Sequence, residues 1–273
     1  MSNTVAASRR VLLLTCGLLW YVGFPCGLTV TNASPQKRHA RKSSTRAGRV
    51  QTGLDVLESE KFAPLRGKHI GIITNHTGLD SQEKSTIDVL AHAPGVQVVA
   101  IFSPEHGLAG QMDERVSSGK DPLTGLQVFS LYGETLRPTD EMLKGVDTLV
   151  FDIQDAGARF YTYTTTMAYC MEEAAKRHIA FYVLDRPNPI GGEIVEGPIL
   201  DADKTSFVAY FPIPIRYGLT IGELAQFFNS ENHINADLHI IAMKTWRRSY
   251  FFESTGLRWI PPSPKGQRLA LVR

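Results

Sequence analysis

The chain has 273 residues, 43% hydrophobic and 21% charged, a composition that suits one globular domain. Its net charge of +2 hides an asymmetry: residues 1–50 hold eight Lys or Arg and no acid, whereas the rest holds 21 basic against 27 acidic residues, a net −6. An acidic globular part gives no electrostatic basis for nucleic-acid binding, and no nucleic-acid partner is expected.

In chain order, Arg9 and Arg10 precede the apolar run Val11–Phe24, which is shorter than the ~20 residues of a membrane-spanning helix. Residues 1–33 therefore read as a signal peptide, with an uncleaved N-terminal anchor as the alternative, and the protein as exported to the periplasm or outside the cell. Residues 34–50 are basic, lack apolar periodicity and read as a disordered linker. From Gly53 the pattern alternates. A short helix around Leu54–Leu57 precedes a strand over His69–Thr74, a helix near Ser85–His92 and a strand over Gln97–Phe102. Residues 109–126 read as an irregular loop, Val128–Leu131 as a short strand and Thr139–Lys144 as a brief helix. Thr148–Phe151 is an unbroken apolar run, the mark of a strand covered on both faces. A long helix over Tyr163–Arg177 follows, with Met167, Cys170, Met171 and Ala174 on one face. Ile179–Leu184 is a strand, Thr220–Asn229 a helix opened by a Thr220/Glu223 capping box, and Leu238–Met243 a final strand. Strands alternating with helices give the α/β class and a doubly wound, mainly parallel sheet.

Four strands end in polar clusters: Asn75-His76, Glu105-His106, Asp152 with Gln154 and Asp155, and Asp185-Arg186 with Asn188. In a parallel sheet these ends share one edge, so the clusters face a common cleft. Asp, Asn, Gly and Pro are also ordinary turn residues, which explains any one cluster but not the Glu and Arg. Glu105, stiffened by Pro104, is the best general acid or base. Glu196 is a second carboxylate, and Asp152, Asp155 and Asp185 compete for that role, since glycoside hydrolysis needs a pair. Arg159 and Arg186 suit an anionic substrate group, and Tyr161 and Tyr163 offer flat faces for sugar rings.

Other chemistries find less support. No Gly-x-Gly-x-x-Gly follows a strand, so no dinucleotide or other cofactor is expected. There is no Gly-x-Ser-x-Gly elbow, and Cys170 reads as core. His76, Glu105, His106, Asp152 and Asp185 are metal-ligand types, but their spacing matches no compact metal motif and no metal is assigned.

The segments TNHTG at 74–78, SPEHG at 103–107, DIQDAGARFYTY at 152–163, DRPNP at 185–189 and EGP at 196–198 resemble a bacterial family of exo-acting β-N-acetylmuramidases, formerly catalogued as a domain of unknown function. The match runs from about Gly53 to Pro264. The resemblance implies glycoside hydrolysis that removes terminal N-acetylmuramic acid from peptidoglycan fragments, with muramyl saccharides as the partners. It implies a Rossmann-like catalytic domain, here 51–264, followed by a smaller C-terminal domain. Glu105 takes the family's glutamate, with Glu196 and Asp152 completing the catalytic set. Asn75, His106, Gln154, Asp155, Arg159, Tyr161, Tyr163, Asp185, Arg186 and Asn188 are assigned to substrate binding, Arg159 or Arg186 meeting the lactyl carboxylate. After Pro264 the sequence departs from the family: residues 265–273 read as an aberrant tail, with the C-terminal domain largely missing. Two alternatives stand beside the hydrolase: an inactive sugar-binding domain and a metal-dependent hydrolase.

Overall fold

The computed structural model describes residues 49–112 and 117–264. The N-terminal apolar run, residues 34–48 of the linker and the 265–273 tail lie outside them. Seven strands form one sheet: β1 (His69–Thr74), β2 (Gln97–Ser103), β3 (Gly119–Lys120), β4 (Gln127–Ser130), β5 (Thr148–Asp152), β6 (Ala180–Leu184) and β7 (Leu238–Ile241), in the order β3-β4-β2-β1-β5-β6-β7. All neighbours pair parallel except β3, which runs antiparallel to β4 at the edge.

The helices are α1 (Gly53–Ser59), α2 (Thr86–Ala91), α3 (Tyr163–Lys176) and α4 (Ile221–Glu231). Strand alternation assigns each a side. Ile70, Ile72, Val150, Tyr182 and Leu184 pack with Leu54 and Leu57 of α1 and Val89 and Leu90 of α2. The intervening Ile73, Leu149, Phe151, Phe181 and Val183 pack with Met167, Cys170, Met171 and Ala174 of α3 and with Leu224 and Phe228 of α4. Side chains two residues apart share a face, so consecutive apolar residues supply two cores. The sheet is doubly wound, as the alternation implies.

Local chemistry sets the helix starts. Thr52 and Asp55 form a capping box on α1, and Thr220 and Glu223 form the expected one on α4. Gly53 is demanded by close approach: a Cβ there would lie 2.4 Å from the Asp185 backbone nitrogen.

Several expectations are corrected. Residues 139–144 make hydrogen-bonded turns instead of a helix, because Gly145 at positive φ ends them one residue later. The 109–126 loop contains β3, and β7 stops at Ile241. The end of the linker belongs to the domain: Val50 is buried, its N–H donates to the Thr255 carbonyl, and Gln51 bridges Lys244.

From β1 the chain moves outward through β2 to β4, then crosses to β5 on the other side of β1. That reversal between β1 and β5 opens a crevice beyond the strands' carboxyl ends, where open α/β sheets bind ligands. Register places Thr74 beside Asp152 at its floor.

Candidate active site at the carboxyl ends of the strands

The four clusters lie along this edge, but they divide into two kinds. On the β5–β6 side the polar groups are satisfied by one another. Asp152 is 0% exposed and receives Arg186 on both oxygens, Nε to Oδ1 at 2.5 Å and Nη2 to Oδ2 at 2.8 Å, with the Thr86 hydroxyl also on Oδ2. Arg186 also donates to the Leu79 carbonyl at 2.8 Å. Asp185 Oδ1 accepts the Gly222 N–H at 2.8 Å and its Oδ2 the Thr220 hydroxyl at 3.1 Å, so it holds the start of α4. Burial raises its carboxyl to about 6, against the pull of those donors. Asn188 closes a turn onto the Ile190 N–H and donates to Leu219. Gln154 donates to the Asp155 and Pro187 carbonyls at 2.8 and 2.9 Å.

On the β1–β2 side the groups are less fully engaged. Beyond β2, Glu105 is half-buried and His106 follows at φ +68°. A non-glycine residue in the left-handed region is strained, and such strain gathers at functional turns. The Thr162 hydroxyl, at the start of α3, donates to Glu105 Oε2. Asn75 Oδ1 accepts from the Thr77 N–H at 2.9 Å and its hydroxyl at 2.6 Å. The buried Nδ2 lies beside the Tyr163 hydroxyl without hydrogen-bond geometry. Asp155 Oδ2 accepts from Tyr217 and from the Gly157 N–H at 2.7 Å, while its buried Oδ1 has no hydrogen-bond partner among the described residues. Burial pushes the Asp155 and Tyr217 groups upward.

The C-terminal segment crosses this half. His76 Nε2 meets the Pro261 carbonyl at 2.8 Å, and the Tyr163 hydroxyl donates to the Pro262 carbonyl. Pairing with a carbonyl makes Nε2 the protonated nitrogen of His76, and burial lowers that imidazole's pKa. Its ring fits only because residue 110 is glycine: a Cβ there would sit 1.9 Å from Cε1. Between these elements opens a cavity of about 250 Å³ lined by Glu105, His106, Phe160, Tyr161, Thr162, Tyr163, Pro262 and Ser263. A second hollow, of about 20 Å³ beside Arg186 and Phe252, holds no more than about one water.

The structure therefore brings Glu105, His106, Tyr161 and Tyr163 to one cavity, with Asn75 and Asp155 against its tyrosines. It separates the rest. Asp152, expected as a catalytic group, has both oxygens engaged in a buried ion pair and does not line that cavity. Arg186 is held in the same pair through Nε and Nη2 and does not line that cavity. Arg159 points Nη1 at the Pro198 and Ile213 carbonyls and braces the 198–213 loop. Glu196, the expected second carboxylate, has a 64% exposed side chain, pairs with Arg216 at 2.9 Å and does not line the cavity. Asp185, Gln154 and Asn188 hold backbone. Sequence reasoning missed Thr162 and Phe160, although they flank a flagged tyrosine, and missed Tyr217, whose surroundings in the chain carry no signal. Among the described residues, no three His, Cys, Asp or Glu side chains gather as metal ligands.

The chain is similar to proteins of known family and structure. Residues 70–270 match the model described as exo-beta-N-acetylmuramidase NamZ, N-terminal. The chain is 48% identical over 239 residues to the peptidoglycan beta-N-acetylmuramidase NamZ of Bacillus subtilis (strain 168), covering 87% of this chain and 57% of that protein. A crystal structure of a DUF1343 family protein from Bacteroides fragilis NCTC 9343 superposes with a TM-score of 0.77 at 47% identity, covering 82% of this chain and 58% of that one. A second DUF1343 protein from that organism gives 0.69 at 36% identity, covering 82% and 59%. The chain thus spans a little over half the length of the relatives it matches.

Proposed function

Because this chain belongs to the exo-β-N-acetylmuramidase NamZ family through the family's N-terminal domain, we propose that it is an exo-acting glycoside hydrolase releasing terminal N-acetylmuramic acid from peptidoglycan fragments. The observation that carries the reading is Glu105, held half-buried beyond the carboxyl end of β2 at a cavity walled by aromatic rings. A carboxylic acid so placed can protonate a glycosidic oxygen as the bond to the anomeric carbon breaks, then take a proton from the attacking water. Tyr161 and Phe160 offer ring faces to the sugar, and His106 borders the same space. Asp152, Arg186 and Asp185 support the site by fixing the strand ends from beneath.

The test is release of 4-nitrophenol from 4-nitrophenyl β-N-acetylmuraminide by the purified chain, beside Glu105→Gln. Turnover that vanishes in the variant supports the reading. A folded parent that releases no 4-nitrophenol overturns it and favours a sugar-binding role.

We further propose that the protein is exported, which suits the same substrate. The Arg9-Arg10 pair and the apolar run to Phe24 suit a signal peptide or an anchor delivering the domain to the cell wall. Cell fractionation checks this: a protein confined to the cytoplasm contradicts it.

A further inference from the structure

Thr162 stands at the N-cap of α3, where a Ser, Thr, Asp or Asn side chain ordinarily accepts a hydrogen bond from the helix's first N–H groups. It makes no such bond. Its backbone has already turned helical, at φ −72° and ψ −15°, and its carbonyl accepts the Thr166 N–H at 2.9 Å. The hydroxyl is turned out of the helix and spends its only proton on Glu105 Oε2. The other three α-helices among the described residues carry a side-chain cap, from Thr52, Ser85 and Thr220. At α3, then, the threonine in the capping position serves the carboxylate across the cavity.

We propose that Thr162 is the positioning residue of the hydrolase, fixing which oxygen of Glu105 carries the catalytic proton. The inference rests on Glu105 being the acid/base. A hydroxyl donor on Oε2 makes that oxygen the acceptor, so the proton of the acid form resides on Oε1. Oε1 has no hydrogen-bond partner among the described residues. In the forward step the O–H bond at Oε1 breaks and its proton passes to the glycosidic oxygen. The electron pair of the breaking C–O bond stays with that leaving oxygen, the oxygen of the attacking water bonds the anomeric carbon, and Glu105 is left anionic to take the water's proton. The Thr162 hydrogen bond then becomes charge-assisted and strengthens as the charge develops. An interaction stronger in the transition state than in the ground state raises kcat without tightening substrate binding.

Thr162 is buried, and its γ-methyl sits beside a hydroxyl that Val replaces with a second methyl of similar size. Thr162→Val therefore removes the donor and keeps the volume, while Thr162→Ser keeps the donor. For 4-nitrophenyl β-N-acetylmuraminide, Val lowers kcat by about tenfold to a hundredfold, the range for a hydrogen bond to a charged group, with KM within about twofold. Ser restores most of the rate. In a Glu105→Gln background the Val substitution adds little further loss, because the two groups act as one unit.

A readout independent of turnover separates this proposal from the glycosidase reading. In protein labelled with ¹³C at glutamate side-chain carboxyls, the Glu105 resonance is assigned by its disappearance in Glu105→Gln. It shifts in Thr162→Val and returns in Thr162→Ser. An unmoved resonance in Thr162→Val overturns the proposal whether or not the parent turns over. Equal loss of kcat in Val and Ser overturns it too, since a packing role would not distinguish donor from non-donor. A silent parent whose resonance nevertheless responds sinks the glycosidase reading, and with it the catalytic role of Thr162, while the hydrogen bond itself stands.

Discussion

The two halves of the strand-end row are built from similar residues and do opposite things. Beyond β5 and β6, Asp152, Arg186, Asp185 and Asn188 saturate one another and the surrounding backbone. Beyond β1 and β2, Glu105 is met by the Thr162 hydroxyl on one oxygen, and among the described residues a buried atom of Asn75, and one of Asp155 just past β5, has no hydrogen-bond partner. A buried polar group left unmatched costs stability, so such groups persist where a ligand can use them. The difference lies in satisfaction, and residue type does not reveal it. The first half should therefore respond to mutation in stability and the second in turnover.

The largest stability effect expected is from Arg186→Met. It strands the Asp152 carboxylate in the core, and breaking a buried pair in this way costs about 3–5 kcal/mol. Urea unfolding measures it, and a loss below about 1 kcal/mol would mean that Asp152 finds other solvation.

Asp185 comes next, through pH. Its folded carboxyl sits at about 6, above the ordinary 3.8, so between those values the folded state holds a proton that the unfolded chain has released. The stability this group contributes is present below about pH 4 and lost as pH rises through 6, on the order of 2–3 kcal/mol. Asp185→Asn should flatten that slope in urea titrations near pH 4, 5 and 7. An unchanged slope would assign the pH dependence to other groups.

Tyr217→Phe removes a donor from Asp155 at the border between the halves. A loss of about 1–2 kcal/mol is expected, the cost of unmatching a buried acceptor. Retention of full parental stability would show that Asp155 is held by Gly157 alone.

The smallest effect sharpens the contrast most. Glu105→Gln should change stability by less than about 0.5 kcal/mol, since an amide oxygen still accepts the Thr162 hydroxyl. A large loss of stability there would place Glu105 with the structural carboxylates and blur the division.

Most of the sheet is legible in the sequence. His69–Thr74, Thr148–Phe151 and Ile179–Leu184 are runs too apolar to lie on a surface, and α3 declares itself by Met167, Cys170, Met171 and Ala174 at helical spacing. Residues 139–144 misled because a short amphipathic segment fits a helix and a chain of turns equally well. Gly119–Lys120 is too brief to have a period, and β4 alone makes it a strand. The shared edge was legible for the same reason as the sheet, because parallel strands deliver their carboxyl ends to one side, but of the four clusters only Glu105 and His106 line the cavity there.

Sequence by itself determined the α/β alternation, the two cores, the α4 capping box and the glutamate at the end of β2, because each follows from local periodicity or residue type. Only the tertiary structure decided which polar side chains are spent on one another. Asp152 meets Arg186 across 34 positions, Asp155 meets Tyr217 across 62, and Glu105 meets Thr162 across 57. Hydrogen bonds and ion pairs act over a few ångströms of space, whatever the separation along the chain. A carboxylate that braces the fold and one free to do chemistry can therefore look alike until their partners are found.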